Sequence, residues 1–90
     1  MQTGQANWED SETNRIVDLS VEYSACEDSI EVREITPVRV TFLCPESRQP
    51  LRSIRVHGEM ARSILVRQMR TRGFIEHLEV ELLQRQATLV

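Results

Sequence analysis

The sequence predicts a small α+β domain with the element order β-β-β-β-α-β, in which one helix packs on one face of a mainly antiparallel sheet. Three observations support this fold class. Apolar and polar residues alternate over several short segments, the period changes to that of a helix after Gly58, and alternation returns after Gly73. Ninety residues are enough for one hydrophobic core. We therefore expect a single domain over residues 14–84.

The first predicted strand begins near Arg15. Its apolar residues fall at every second position: Val17, Leu19, Val21 and Tyr23. Residues 1–13 precede it and contain one large apolar side chain, Trp8, among polar and acidic residues, so we expect a flexible acidic tail. Trp8 with its acidic neighbours is a candidate docking peptide for a basic partner. An idle tail, or a tryptophan that folds back on the domain, is the alternative.

Two further strands are predicted at 30–34 and 38–44, where apolar residues again alternate with polar ones. Pro37 lies between them and has no amide hydrogen for a sheet, so we expect a bend or a bulge there. A loop with two prolines follows, and a fourth strand is predicted over 51–56.

The predicted helix covers residues 59–72. One half-turn of this helix collects mostly apolar residues: Met60, Ala61, Ile64, Leu65, Gln68 and Met69. Gly73 follows its last turn, where a left-handed C-cap favours glycine. Over 74–84 the alternation favours a fifth strand, although the glutamate and leucine content makes a helix the competing prediction. Residues 85–90 are expected to form a short C-terminal tail.

Charge is unevenly distributed along the chain. Residues 1–37 carry a net charge of -7, residues 48–72 carry +6, and the whole chain carries -3. All eleven basic residues are arginines, which excludes mechanisms that need a lysine nucleophile or a P-loop lysine. The basic segment either binds an anionic partner such as nucleic acid or forms the solvated side of a helix.

Few residues suggest chemistry. The two cysteines and two histidines lack the close pairs of a zinc module, so we expect no metal and no cofactor. Whether Cys26 and Cys44 form a disulfide stays open. Phosphate-binding loops, nucleophile elbows and dinucleotide fingerprints are missing from the sequence, so we expect no enzymatic activity. His57, next to the predicted start of the helix, is the best single candidate for a functional residue, because anions can bind there.

No apolar run approaches the ~20 residues that a membrane helix needs. The N-terminus also lacks the basic start and apolar middle of a signal peptide. We therefore expect a cytoplasmic protein with no membrane partner, and that compartment favours reduced cysteines.

Two functions of different class follow. The first is a small non-enzymatic protein-interaction module, such as an adaptor, inhibitor or assembly factor, that acts through a sheet edge or a charged face; the partner is another protein or a second copy in a homodimer. The alternative is nucleic-acid binding by the arginine-rich segment 48–72, which the acidic pI of 5.3 and the few aromatic residues disfavour. The candidate interaction residues are Arg52, Arg55, His57, Arg62, Arg67, Arg70 and Trp8.

Overall fold

Four strands followed by two helices make up the fold in the computed structural model, which describes residues 2–88. The elements are β1 (Gln2–Asp10), β2 (Arg15–Ala25), β3 (Ile30–Leu43), β4 (Pro50–Arg55), α1 (Glu59–Thr71) and α2 (Phe74–Thr88). The strands form one antiparallel sheet in the order β1-β2-β3-β4. The core lies between one face of this sheet and the two helices. The predicted α+β class is confirmed, whereas the predicted element order and the single helix are wrong.

The N-terminal segment differs most from its expected structure. Residues 2–10 form strand β1, which pairs with β2 along its whole length, whereas we expected a flexible tail over 1–13. Ala6, Trp8 and Asp10 alternate inward and are all buried. The inward positions hold one small residue, one tryptophan and one acid. The sequence pattern therefore did not predict a strand, because a buried acid is not recognised as apolar in a hydropathy pattern. The domain therefore includes the strand that precedes residue 14.

Strand β3 is one continuous strand where two were predicted, and Pro37 lies inside it. The irregularity expected at Pro37 is a bulge. Asp18 pairs with Arg39 and the next residue, Leu19, pairs with Pro37, so that Val38 has no partner on β2. The bulge turns Val38 away from the core, and its side chain is 39% exposed although the alternation predicted it to face inward.

Helix α2 replaces the fifth strand predicted over 74–84. Its buried residues are Phe74, Leu78 and Leu82, which recur every four positions on one face of a helix. The strand prediction also required Val80 to face inward, but Val80 is exposed. Glutamate and leucine are good helix formers. A helical period also leaves Glu76 exposed, whereas strict alternation from Phe74 would turn it toward the core.

Helix α1 ends one residue before the predicted boundary, and its residues Leu65 and Met69 face the core. Gly73 follows with a φ of 72°, as the C-cap prediction required. Because α2 continues to Thr88, the tail expected over 85–90 begins inside a helix, and residues 89 and 90 lie outside the described part of the chain. Neither helix in the described range has the length and apolarity needed to cross a membrane.

Candidate interaction surface

Strand β4 forms an edge of the sheet, and all six of its residues are exposed. On its inner side it pairs with β3, and just beyond it the amide of Val56 donates to the carbonyl of Val38 over 2.8 Å. Since hydrogen bonds alternate along an antiparallel pair, the backbone N–H and C=O groups of Ser53 and Arg55 point away from β3. The edge therefore offers donors and acceptors to another extended segment.

An apolar groove, which we call the β4 groove, lies beside this edge on the face of the sheet that carries the helices. Its volume is about 410 Å³. The lining is mostly apolar: Val40, Phe42, Ile54, Val56, Ala61 and Leu65, together with Arg15, Arg55 and His57. Phe42 and Ile54 remain 36% and 40% exposed. On α1, Met60 and Ile64 are 79% and 51% exposed, which extends the apolar surface above the groove. The helices thus leave the β4 end of the sheet uncovered.

A buried carboxylate holds the C-terminal end of α1 at the opposite side of the sheet. Asp10 is 2% exposed and accepts hydrogen bonds from Thr13 Oγ1 at 2.6 Å, Arg15 Nε at 3.0 Å and Arg72 Nη1. Burial by itself raises the pKa of Asp10, but these hydrogen bonds outweigh burial and lower the pKa below its ordinary value of 3.8. The cluster attaches α1 to the β1–β2 hairpin.

Trp8 lies in the same cluster and is buried. The guanidinium carbons of Arg15 and Arg72 each lie 5.5 Å from the centroid of its indole ring, and the Phe74 ring lies 6.1 Å away. The predicted docking peptide is therefore a structural part of the core. The structure instead shows the alternative interpretation, in which the tryptophan folds back on the domain.

The eleven arginines fall into two groups. Five make ion pairs: Arg15, Arg33, Arg48, Arg72 and Arg85. Of these, Arg48 and Arg72 belong to the basic segment and pair with acids of the N-terminal segment, Glu9 for the first and Asp10 and Glu12 for the second. The other six arginines make no ion pair with any residue that the structure describes: Arg39, Arg52, Arg55, Arg62, Arg67 and Arg70.

The predicted site residues are brought together in two sets. Arg52 and Arg55 lie on β4, and His57 is exposed at the end of the β4 groove. The second set lines another groove, between α1 and residues 34–36 of β3, with a volume of about 540 Å³. We call it the arginine groove, and its lining includes Arg62, Arg67 and Arg70. Trp8 belongs to neither set.

Sequence reasoning missed the β4 groove. Phe42 occupied a position of alternation that predicted the core, and so did Ile54. The periodicity identified the correct face of the sheet for both residues. A periodic pattern carries no information about where a helix stops covering that face, and no other signal in the sequence marks the uncovered end.

Within residues 2–88, histidine, cysteine and acidic side chains form no cluster that could hold a metal ion. Cys26 and Cys44 are free thiols. Hydrogen bonds from the Ser47 hydroxyl and from the backbone amides of Ser47 and Glu46 lower the pKa of Cys44.

Comparison with family models, with curated proteins and with solved structures finds no match for this chain. The fold defines its class as a small α+β domain in which two helices cover one face of a four-stranded antiparallel sheet. Function is therefore inferred from the β4 edge and the two grooves.

Proposed function

We propose that this protein is a non-enzymatic protein-interaction module that binds an extended segment of a partner protein along β4. The observation that carries the proposal is the position of a free sheet edge directly beside an apolar groove. In this mode the outward backbone groups of Ser53 and Arg55 bond to the added strand, while alternate side chains of that strand enter the β4 groove.

The charge beside the edge favours an acidic partner. Arg52 and Arg55 lack ion-pair partners among the described residues, and Arg39 pairs across the β3–β4 ladder with Arg55. A second copy of this chain joined through β4 would bring a second set of these arginines to the same edge, and neighbouring like charges destabilise strand pairing. An acidic segment would neutralise the same charges, so we favour a different protein over a homodimer.

Nucleic-acid binding is the second candidate, and the six unpaired arginines favour it because guanidinium groups bind phosphate well. Two features of the arginine groove oppose it. The residues that line the groove include no aromatic side chain for base stacking, and they include two carboxylates, Glu34 and Glu59.

A proline on the free edge tests the proposed function. The amide of Ser53 points outward, so Ser53→Pro removes a donor from the edge and leaves the β3–β4 ladder intact. The matched control is Ser53→Ala, which loses the same 3.0 Å hydrogen bond between Ser53 and Thr41 but keeps the amide.

The probe is a random peptide library displayed on phage and selected on the purified protein. We expect enriched peptides that alternate acidic and apolar residues, that bind the wild-type protein and Ser53→Ala equally, and that bind Ser53→Pro at least tenfold more weakly. Peptides that bind Ser53→Pro as well as wild type would contradict strand addition at β4. Binding to mixed-sequence DNA or RNA, weakening steeply with salt, would favour the second candidate instead.

A further inference from the structure

Arg62, which lines the arginine groove, carries a buried donor that no described residue satisfies. The Nε atom of Arg62 is buried and has no hydrogen-bond partner among the described residues. A buried donor without an acceptor destabilises a protein, and native structures contain few of them. A ligand that draws the guanidinium of Arg62 into the groove would give this donor an acceptor and remove the cost.

Further donors line the same groove. Arg67 and Arg70 follow Arg62 along α1 and, like it, make no ion pair within the described chain. Ser63 and Thr36 add hydroxyl groups to the lining. The groove therefore presents guanidinium and hydroxyl donors around a volume of about 540 Å³.

We propose that the arginine groove binds a phosphate monoester, with Arg62 as its central contact. A monoester carries a charge near -2 at neutral pH and offers three strong acceptor oxygens, which suits several guanidinium groups. Glu34 and Glu59 line the same groove and would repel a long polyanion laid across it, whereas a compact dianion can lie between the arginines. This site is on the flank of α1 opposite the β4 groove, so it does not depend on strand addition.

A phosphorylated side chain of a partner protein and a free small phosphate ester share this chemistry. The two sources are distinguished by comparing the affinity of a phosphoserine peptide, with neutral flanking residues, with the affinity of free phosphoserine. Tighter binding of the peptide would identify a protein source, and equal binding would identify a small molecule.

The experiment follows the arginine Nε–Hε signals in ¹H–¹⁵N spectra while inorganic phosphate, phosphoserine and then the peptide are added. We expect the Arg62 signal to shift saturably, because its unpaired donor gains an acceptor. The Arg33 signal is the internal control, since Arg33 is exposed, pairs with Glu31 and lies outside the groove. We expect Arg62→Gln to weaken binding at least tenfold and Arg33→Gln to leave it unchanged.

Arg62→Met separates binding from folding. It keeps most of the aliphatic stem and removes the unpaired donor, so this variant should be at least as stable as wild type while it loses phosphate binding. An Arg62 signal that shifts no more than that of Arg33 would overturn the proposal. Unchanged affinity in Arg62→Gln would overturn it too, as would a groove that binds single-stranded nucleic acid but none of the three phosphate probes.

Discussion

Asp10 is a buried carboxylate whose partners come from two distant parts of the chain. Thr13 and Arg15 lie in the adjoining hairpin, whereas Arg72 follows the last residue of α1, 62 residues further on. A carboxylate removed from water is stable there because charged donors satisfy it, and these donors in turn depend on its charge. The sequence composition placed Asp10 in a polar, acidic tail and therefore did not predict that it is a buried partner of two arginines.

Neutralising Asp10 should destabilise the protein. Asp10→Asn keeps the size of the side chain but leaves Arg15 and Arg72 without their counter-charge, so we expect the free energy of unfolding to fall by about 2 to 3 kcal/mol in urea titrations at pH 7. The control is Glu12→Gln. Glu12 pairs with the same Arg72 at 3.2 Å but is 75% exposed, and its loss should cost less than about 0.5 kcal/mol. Equal losses in the two variants would contradict a special role for the buried carboxylate.

The same residue predicts the response to acid. Because folding lowers the pKa of Asp10, its stabilisation is complete above the ordinary pKa of 3.8 and is lost as the pH falls through the lower, folded value. The difference in unfolding free energy between wild type and Asp10→Asn should therefore be constant near neutral pH and shrink below about pH 4. A difference that persists unchanged in strong acid would show that packing, not charge, accounts for the effect.

Helix α1 is bounded by two glycines that use different backbone conformations. Gly58 precedes it with φ 83° and ψ 153°, a region that essentially only glycine visits. Gly73 follows it with φ 72°, in the left-handed region that asparagine also tolerates. Neither position is crowded: an added Cβ meets no atom within 4 Å at Gly58, and at Gly73 the nearest is a Glu76 oxygen at 3.9 Å.

Substitution at these glycines should therefore measure backbone strain alone. We expect Gly58→Ala to cost about 2 to 3 kcal/mol and Gly73→Ala about 1 kcal/mol, measured by thermal or urea unfolding. Gly73→Asn is the matched control and should cost less than Gly73→Ala. A Gly58→Ala variant as stable as wild type would show that the turn into α1 adopts another conformation.

Helix α2 also shows how an element depends on its neighbours. Glu79, expected on the solvent side of a strand, accepts a hydrogen bond from the Val32 amide over 3.1 Å. Val32 lies beside the second irregularity of the β2–β3 pairing. The Glu79 carboxylate on α2 thus satisfies a backbone amide of β3. The two residues are 47 positions apart in the sequence, so no local pattern could have predicted the contact.

At the scale of the whole molecule, β1 completes the sheet and supplies Ala6 and Trp8 to the core. Deleting residues 1–13 should therefore abolish cooperative unfolding, as followed by circular dichroism, because β2 would lose one of its two partner strands and the core would lose its tryptophan. The control is Asn7→Thr, an exposed position on the same strand, which should unfold like wild type. A truncated chain that still unfolds in a sharp transition would contradict this role of β1 and support the flexible tail that the composition predicted.

Local rules were enough for much of the fold. The alternating segments of β2, β3 and β4 and the span of α1 with its glycine ends follow from side-chain periodicity and allowed φ angles, which neighbouring residues set. The arginine set on one side of α1 was likewise predictable, because a helix repeats every 3.6 residues.

Tertiary packing determined the rest. β1 is a strand because β2 and the helices bury its tryptophan and acid. Residues 74–84 are helical because a helix buries Phe74, Leu78 and Leu82 while it leaves Glu76 and Val80 exposed. Phe42 and Ile54 show the same alternation as buried residues, yet they border an open groove because α1 covers the sheet only in part. Burial depends on which distant segments pack against each other. The free energy of that packing cannot be derived from the residue pattern of any single segment.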